Sequence, residues 1–204
     1  VNDEPAWERQ GRLIDEEGEP PDIFTIGHST HPFEELTALL AEFGVNLLAD
    51  VRSVPRSRHN PQFNQDELAR RLPEVFGIEY RHLPELGGLR RKVSADSPAI
   101  DRNSAWQSPG FRNYADYMAT NEFARGLAGL IDLARRRRVA VMCAEALWWR
   151  CHRALISDAL SVAGLAVAHI MGPGKLSPHR LTPFLRVEGG RLSYPAPEDV
   201  SGRP

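Results

Sequence analysis

Cysteine is scarce in this chain. There are two in 204 residues, Cys143 and Cys151, and they share one stretch. They form no disulfide-like spacing pattern, which excludes a disulfide-stapled scaffold and leads us to expect a reducing, cytoplasmic setting. Long apolar runs are missing too. No segment has the length of a membrane span, and no secretory leader is read at the start. A soluble cytoplasmic protein with no membrane partner is the expectation. Excess charge is also absent: 25 basic against 27 acidic side chains leave a formal -2. That excludes a surface coated for polyanions and leaves room for a local basic cleft. No internal repeat is visible. The length suits one domain with a sizeable core, plus tails.

The stretch holding both cysteines is the densest in chemistry. Val139 to Met142 reads as a strand buried on both faces, as in a parallel sheet. Cys143, Glu145, Arg150, Cys151, His152 and Arg153 follow, and Leu155, Ile156, Ala159 and Leu160 then repeat at helical spacing up to Gly164. Cys143 would sit at the carboxyl end of a strand, in front of a helix N-terminus. Open α/β sheets bind ligands there, and a helix N-terminus favours anions and thiolates.

Similar units precede and follow. Residues 1–21 are acidic and rich in Pro and Gly and read as a tail. Ile23 to Gly27 is a strand ending in His28, Ser29 and Thr30, and Pro32 opens a helix with Phe33, Leu36, Leu39, Leu40 and Phe43 on one face up to Gly44. Val45 to Val51 is a second strand, ending in Arg52, Ser53, Pro55, Arg56, Ser57 and Arg58. Asn64 and Glu67 have capping-box spacing at the start of a short helix that closes near Gly77. Ile78 to Leu83 is a third strand, running into Gly87 and Gly88. Residues 89–109 read as a long polar loop, a form that is usually a lid or disordered. Two helices follow from Phe111, the second ending in Arg135 to Arg138. Ala166 to Ile170 is a fifth strand, Gly172 to Pro183 a Gly/Pro-rich exit, and 186–204 an irregular or β appendage to a domain of residues 22–185. Alternating strands and helices predict an α/β domain with a mostly parallel sheet of about five strands and helices on both faces.

Thr25-Ile-Gly-His28-Ser29, Asp50-Val-Arg52-Ser53-x-Pro55-Arg56-Ser57, Tyr80 with Leu86-Gly87-Gly88, Cys143-Ala-Glu145, Cys151-His152-Arg153, His169 and His179-Arg180-Leu-Thr182 resemble the family catalogued as domain of unknown function 488. The resemblance spans roughly residues 23 to 185. It implies a compact α/β domain of the bacterial cytoplasm and no settled activity. Between Glu145 and Cys151 the family commonly has a polar or Pro-containing stretch. Here Leu147-Trp148-Trp149-Arg150 stands there, and two indoles would narrow a pocket or offer a stacking surface.

Three chemistries fit these residues. A Cys-dependent enzyme or anion site would use Cys143 as nucleophile, with arginines and a helix dipole lowering its pKa. Its layout resembles, by analogy only, rhodanese-type sulfur transferases. Glu145 opposes it, because a carboxylate favours the neutral thiol. A nucleotide or nucleic-acid site would draw on Arg52, Arg56, Arg58, Arg90, Arg91, Lys92, Arg150 and Arg153, with Trp106, Trp148, Trp149, Tyr80 and Tyr114 as stacking faces. A metal site is disfavoured. The Cys-x7-Cys-His spacing lacks the close pairs of structural zinc, the second half of a zinc-deaminase signature is absent, and adjacent Cys151 and His152 rarely reach one ion.

The expectation is therefore an anion-binding, enzymatic pocket at the strand carboxyl edge, with no metal and no cofactor. Cys143, Glu145, His152 and Asp50 are the catalytic candidates. Arg52, Arg56, Arg153, His28, Ser29, Gly87 and Gly88 are the binding candidates. A phosphate- or oxyanion-bearing small molecule is the expected partner, with a non-catalytic nucleotide- or nucleic-acid-binding module as the alternative. A third reading is a protein-interaction domain in which Glu145, braced by Arg153, and the other buried polar groups only staple the fold.

Overall fold

The computed structural model describes residues 20–91 and 102–196. Five strands are parallel: β1 (Ile23–Gly27), β2 (Leu47–Asp50), β3 (Glu79–His82), β4 (Val139–Cys143) and β5 (Val167–Gly172). A sixth, β6 (Lys175–Pro178), runs antiparallel to β5 at the edge, giving the order β3-β2-β4-β1-β5-β6. The sequence presents β6 as part of an exit loop because Gly172 and Gly174 before it and Pro178 at its end are loop signals. An edge position tolerates the proline, since Pro178 has no ladder bond to donate on the outer side.

Side chains alternate between the two faces, as the strand period requires. Phe24, Ile26, Leu48, Ala140 and Met142 pack with Phe33, Leu36 and Leu40 of α1 (Phe33–Glu42) and with Leu68 of α2 (Gln65–Arg71). Ile23, Leu47, Ala49, Val51, Val139, Val141 and Cys143 face the other layer. That layer is built by α3 (Pro109–Tyr117), α4 (Asn121–Ala134) and α5 (Arg153–Val162), through Tyr114, Phe123, Leu130, Leu155 and Leu160. Thr120 caps α4 by accepting from Phe123 N at 3.2 Å. The capping-box spacing at Asn64 marks the start of α2, but its side chain does not cap the helix. Asn64 Oδ1 accepts from Ser57 N at 2.7 Å instead and so ties down the loop after β2.

The segment after residue 185 folds back as a hairpin of β7 (Arg186–Glu188) and β8 (Arg191–Ser193) and seats Tyr194 in the core. Lys92 and most of the polar half of the 89–109 loop lie outside the described residues, as does most of the acidic N-terminal stretch. No helix among the described residues is long and apolar enough to cross a membrane.

The topology decides where a ligand fits. After β1 the chain turns to the α1 face, whereas after β4 it turns to the α5 face, and β1 and β4 are neighbours. A crevice opens between strands whose connections leave on opposite faces. Gly27 is indispensable at this point. A Cβ there would stand 2.1 Å from the carbonyl oxygen of Glu145 and 2.8 Å from Cα of Ala146, because the β4–α5 loop crosses directly over the end of β1. We expect Gly27→Ala to destabilise the fold by roughly 2–3 kcal/mol or more, since backbone rather than a side chain must move. Urea unfolding measures it, and an unchanged midpoint would mean the loop does not lie on Gly27.

Candidate functional site

The crevice has a volume of about 380 Å³. Its walls come from the ends of three strands: His28, Ser29 and Thr30 after β1; Arg52, Val54, Arg56, Ser57 and Asn60 after β2; and Ala144, Glu145 and Ala146 after β4. The β1 end is held by His28 N donating to Cys143 O at 2.9 Å and Ser29 N donating to Ala144 O at 3.0 Å. Ser29 takes a left-handed backbone, with φ of 47°. Such a conformation costs a non-glycine residue about 1 kcal/mol and is held by these bonds.

Arg52 is built into the crevice wall. Its Nε and Nη2 donate to both oxygens of Asp50, at 2.8 and 2.5 Å, and Nη2 also donates to Phe63 O at 2.8 Å. Nη1 donates to Nε2 of His28 at 3.2 Å. Arginine has no acceptor, so Nε2 must carry the lone pair, and the ring's proton sits on Nδ1, which donates to Ser29 O at 2.9 Å. One Nη1 hydrogen is left without a partner among the described residues. Tyr80 donates its hydroxyl to Asp50 at 2.8 Å. Burial works against the Arg52 charge, and the Asp50 bonds more than offset it, so the pKa stays above its ordinary value. Burial, with the Arg52 charge adding, pushes His28 down to about 4. Burial and the Asp50 charge push the Tyr80 phenol up.

A second cluster lies on the α3–α5 side of the sheet end. The ligand atoms of Cys143, Cys151 and His152 all lie within 4.8 Å of one another. His152 Nδ1 is 3.5 Å from the Cys151 sulfur and 4.0 Å from that of Cys143. Nε2 donates to Val51 O at 3.0 Å. The hydrogen bond to Cys151, followed by burial, pushes Cys143 up to about 12. Cys151 is lowered to about 6 by the same bond seen from the other side, with the charge of Arg153 adding.

Arg153 lies between the two sites. It is buried and its Nη2 donates to the backbone carbonyls of Glu145 and of Ala146, the latter at 3.2 Å. Nη1 donates to Thr25 Oγ1 at 3.4 Å. Thr25 in turn meets His169 Nδ1 at 2.7 Å, His169 Nε2 meets His179 Nδ1 at 3.1 Å, and His179 Nε2 meets Asp158 Oδ1 at 3.0 Å. A guanidinium only donates and an ionised carboxylate only accepts. With one N–H on each imidazole, every bond of this chain therefore runs the same way, from Arg153 to Asp158. Thr182 and Tyr194 also donate their hydroxyls to Asp158, at 2.7 and 3.0 Å. Burial first, then the neighbouring His179, pushes His169 down to about 2.

The structure thus divides what the sequence grouped. His28, Ser29, Arg52, Arg56 and Glu145 share the crevice. Cys143 and His152 do not line it, and the more acidic thiol is Cys151, because of its hydrogen bond with Cys143 and the nearby Arg153 charge. Asp50 has no exposed surface and holds Arg52 rather than facing the crevice. Arg153 braces the backbone of residue 145, not the Glu145 carboxylate, and is buried away from the crevice. Gly87 and Gly88 pack against Ser53 and His152 instead of lining it. Cys151 and His152, adjacent in sequence, do reach one point, contrary to expectation. His169, His179 and Asp158 form a network. His169, His179 and Thr182 stand among the motifs of the resemblance with no role attached, and Asp158, which closes the network from the buried helix α5, is not among them. Of the aromatic faces, Trp148 stacks on His169 at 3.9 Å, Trp106 on Phe111 at 4.6 Å, and Tyr114 is buried; Trp149 stays 49% exposed.

Fold and site together define an open α/β protein whose polar groups gather at the carboxyl edge of a mostly parallel sheet. The chain belongs to the family described as Domain of unknown function DUF488, whose model matches residues 32–160. Thr25 to Ser29, His169 and His179 lie outside the matched segment. No curated protein and no solved structure matches the chain.

The two depressed histidines set a pH dependence. In the unfolded chain each titrates near 6.5. Below that the unfolded state takes up protons that folded His28 and His169 refuse, so stability is complete above about pH 6.5 and falls as the pH falls toward 4. Between pH 7 and 5 we expect a loss of about 1.5–2 kcal/mol per histidine. Urea titrations across that range test this, and a flat profile would contradict it.

Proposed function

We propose that the crevice binds a phosphate- or other oxyanion-bearing small molecule, and that the protein is an enzyme in which Glu145 exchanges a proton with the bound group. One observation carries this reading. Arg56 and Glu145 both line the crevice, both are exposed, and neither has an ionic partner among the described residues. Arg52 supplies a fixed guanidinium beside them, held in place before any ligand arrives. A planar guanidinium fork fits an oxyanion, and a preorganised one loses little freedom on binding. Ser29, Thr30, Ser57 and Asn60 add polar groups around it.

The role of acid or base falls to Glu145 by position, because Asp50 is buried against Arg52 and His28 has both ring nitrogens engaged. The thiols stand outside the crevice, so nucleophilic catalysis by Cys143 forms no part of this reading. A stacking, nucleic-acid-binding surface draws less support, because Trp106, Trp148 and Tyr114 pack inside the protein and the exposed Trp149 does not line the crevice.

Calorimetry with inorganic phosphate and a panel of phosphomonoesters tests binding. Arg56→Ala is expected to weaken it about tenfold, the worth of one charge-assisted contact. Glu145→Gln is expected to retain affinity while lowering turnover of any hydrolysed ester by about 10²–10⁴. No binding by the unmodified protein, or binding indifferent to Arg56, would overturn the anion reading. Turnover unchanged in Glu145→Gln would remove the carboxylate from the chemistry.

A further inference from the structure

We propose that Cys143, Cys151 and His152 form a binding site for a thiophilic transition-metal ion, with zinc as the first candidate. The site is separate from the crevice and stands without the oxyanion reading.

The geometry is that of one face of a coordination tetrahedron. Zinc–sulfur and zinc–nitrogen bonds of about 2.3 and 2.0–2.1 Å at tetrahedral or trigonal angles place the ligand atoms roughly 3.5–4 Å apart. His152 Nδ1 stands 3.5 Å from one sulfur and 4.0 Å from the other, and all three ligand atoms lie within 4.8 Å of one another.

The imidazole is already in the ligating form. Nε2 donates to Val51 O at 3.0 Å, which leaves the Nδ1 lone pair directed at the two sulfurs. A backbone carbonyl behind the ring is the usual outer partner of a metal-bound histidine, fixing tautomer and orientation. Tyr114 packs beside the same ring, 5.1 Å between centroids.

Gly88 holds the same ring from one face. A Cβ at that position would stand 2.4 Å from His152 Nδ1 and 2.8 Å from both Cε1 and Cγ, so glycine lets the chain after Leu86 pack against the imidazole and fix its orientation.

The donor set also selects the ion. Two sulfurs and one nitrogen, with no carboxylate, suit zinc or copper(I) and not magnesium or calcium. A bound divalent ion holds both sulfurs as thiolates, any thiol proton passing to solvent and none leaving the imidazole, so two thiolates balance the metal charge. Three protein ligands leave a fourth position for water or an added molecule. The sequence alone argued against this set because Cys151 and His152 are neighbours. The turn of the chain into α5 brings both side chains to the end of β4, where Cys143 lies.

The test uses the full chain, stripped with a chelator under reducing conditions and titrated with cobalt(II) and zinc. One equivalent of cobalt is expected to give a thiolate-to-cobalt charge-transfer band in the near ultraviolet. One equivalent of zinc should abolish that band and shield both thiols from a disulfide-exchange reagent. His152→Gln and Cys151→Ser are each expected to lower zinc affinity by more than about 100-fold, beyond what loss of an outer partner alone costs. Far-ultraviolet circular dichroism separates a lost ligand from a lost fold, and the titration of the unmodified protein stands even if a variant does not fold. Absence of the band and of thiol protection in the unmodified protein would overturn the proposal. So would zinc uptake that the variants leave unchanged, or quantitative formation of a Cys143–Cys151 disulfide by mild oxidant in the presence of excess zinc.

Discussion

A full positive charge sits in the core at Arg153, 1% exposed, and the structure around it is arranged to answer that charge. No carboxylate among the described residues pairs with it directly. A buried cation left alone costs several kcal/mol. Here two backbone carbonyls of the β4–α5 loop accept from it, and a chain of a threonine and two histidines links it to buried Asp158. Each bond in that chain points the same way, so the dipoles add between the cation and the anion. The loop over Gly27, the start of α5 and the C-terminal segment carrying Thr182 and Tyr194 are all tied to this one element.

That constraint is what separates the two sites. By holding the carbonyls of Glu145 and Ala146 inward, Arg153 leaves the Glu145 side chain exposed in the crevice. The same arginine begins α5 and fixes Cys151 and His152 two residues and one residue before it, under the other face of the sheet end. The second buried arginine, Arg52, works by a different balance. Asp50 neutralises it at contact distance, and two of its further donors bind Phe63 O and His28. One guanidinium is therefore a rigid wall of the crevice, and the other is the brace behind it.

Much of the fold was legible. β1, β2, β4 and β5 read as short apolar runs, α1 and α4 as helical periodicities, and Gly44, Gly77 and Gly164 as stops, each with positive φ. β6 was not legible, because an edge strand needs neither apolar alternation nor freedom from Pro. The Asn64 capping box marked the right helix start, yet its oxygen bonds Ser57 N. Spacing along the chain predicts which groups are near a terminus, not which of several donors wins. The candidate site was legible as a sheet edge and as a residue set, and illegible in its partition. Cys143 and Glu145 are two residues apart, but the first ends a strand facing α5 and the second lies on a loop facing the crevice.

By itself, the sequence determined the alternation of strand and helix, the parallel sheet and the edge at which the polar groups collect. Those follow from periodicity and chain connectivity, which are local or nearly so. Only the tertiary structure decided that Asp50 serves Arg52, that Arg153 serves backbone, that two sulfurs and one imidazole nitrogen converge, and that Arg56 and Glu145 have no ionic partner among the described residues. Those outcomes depend on contacts between residues as far apart as Thr25 and His169 or Val51 and His152. There, direction and distance are set by how the strands stack and where each loop leaves the sheet.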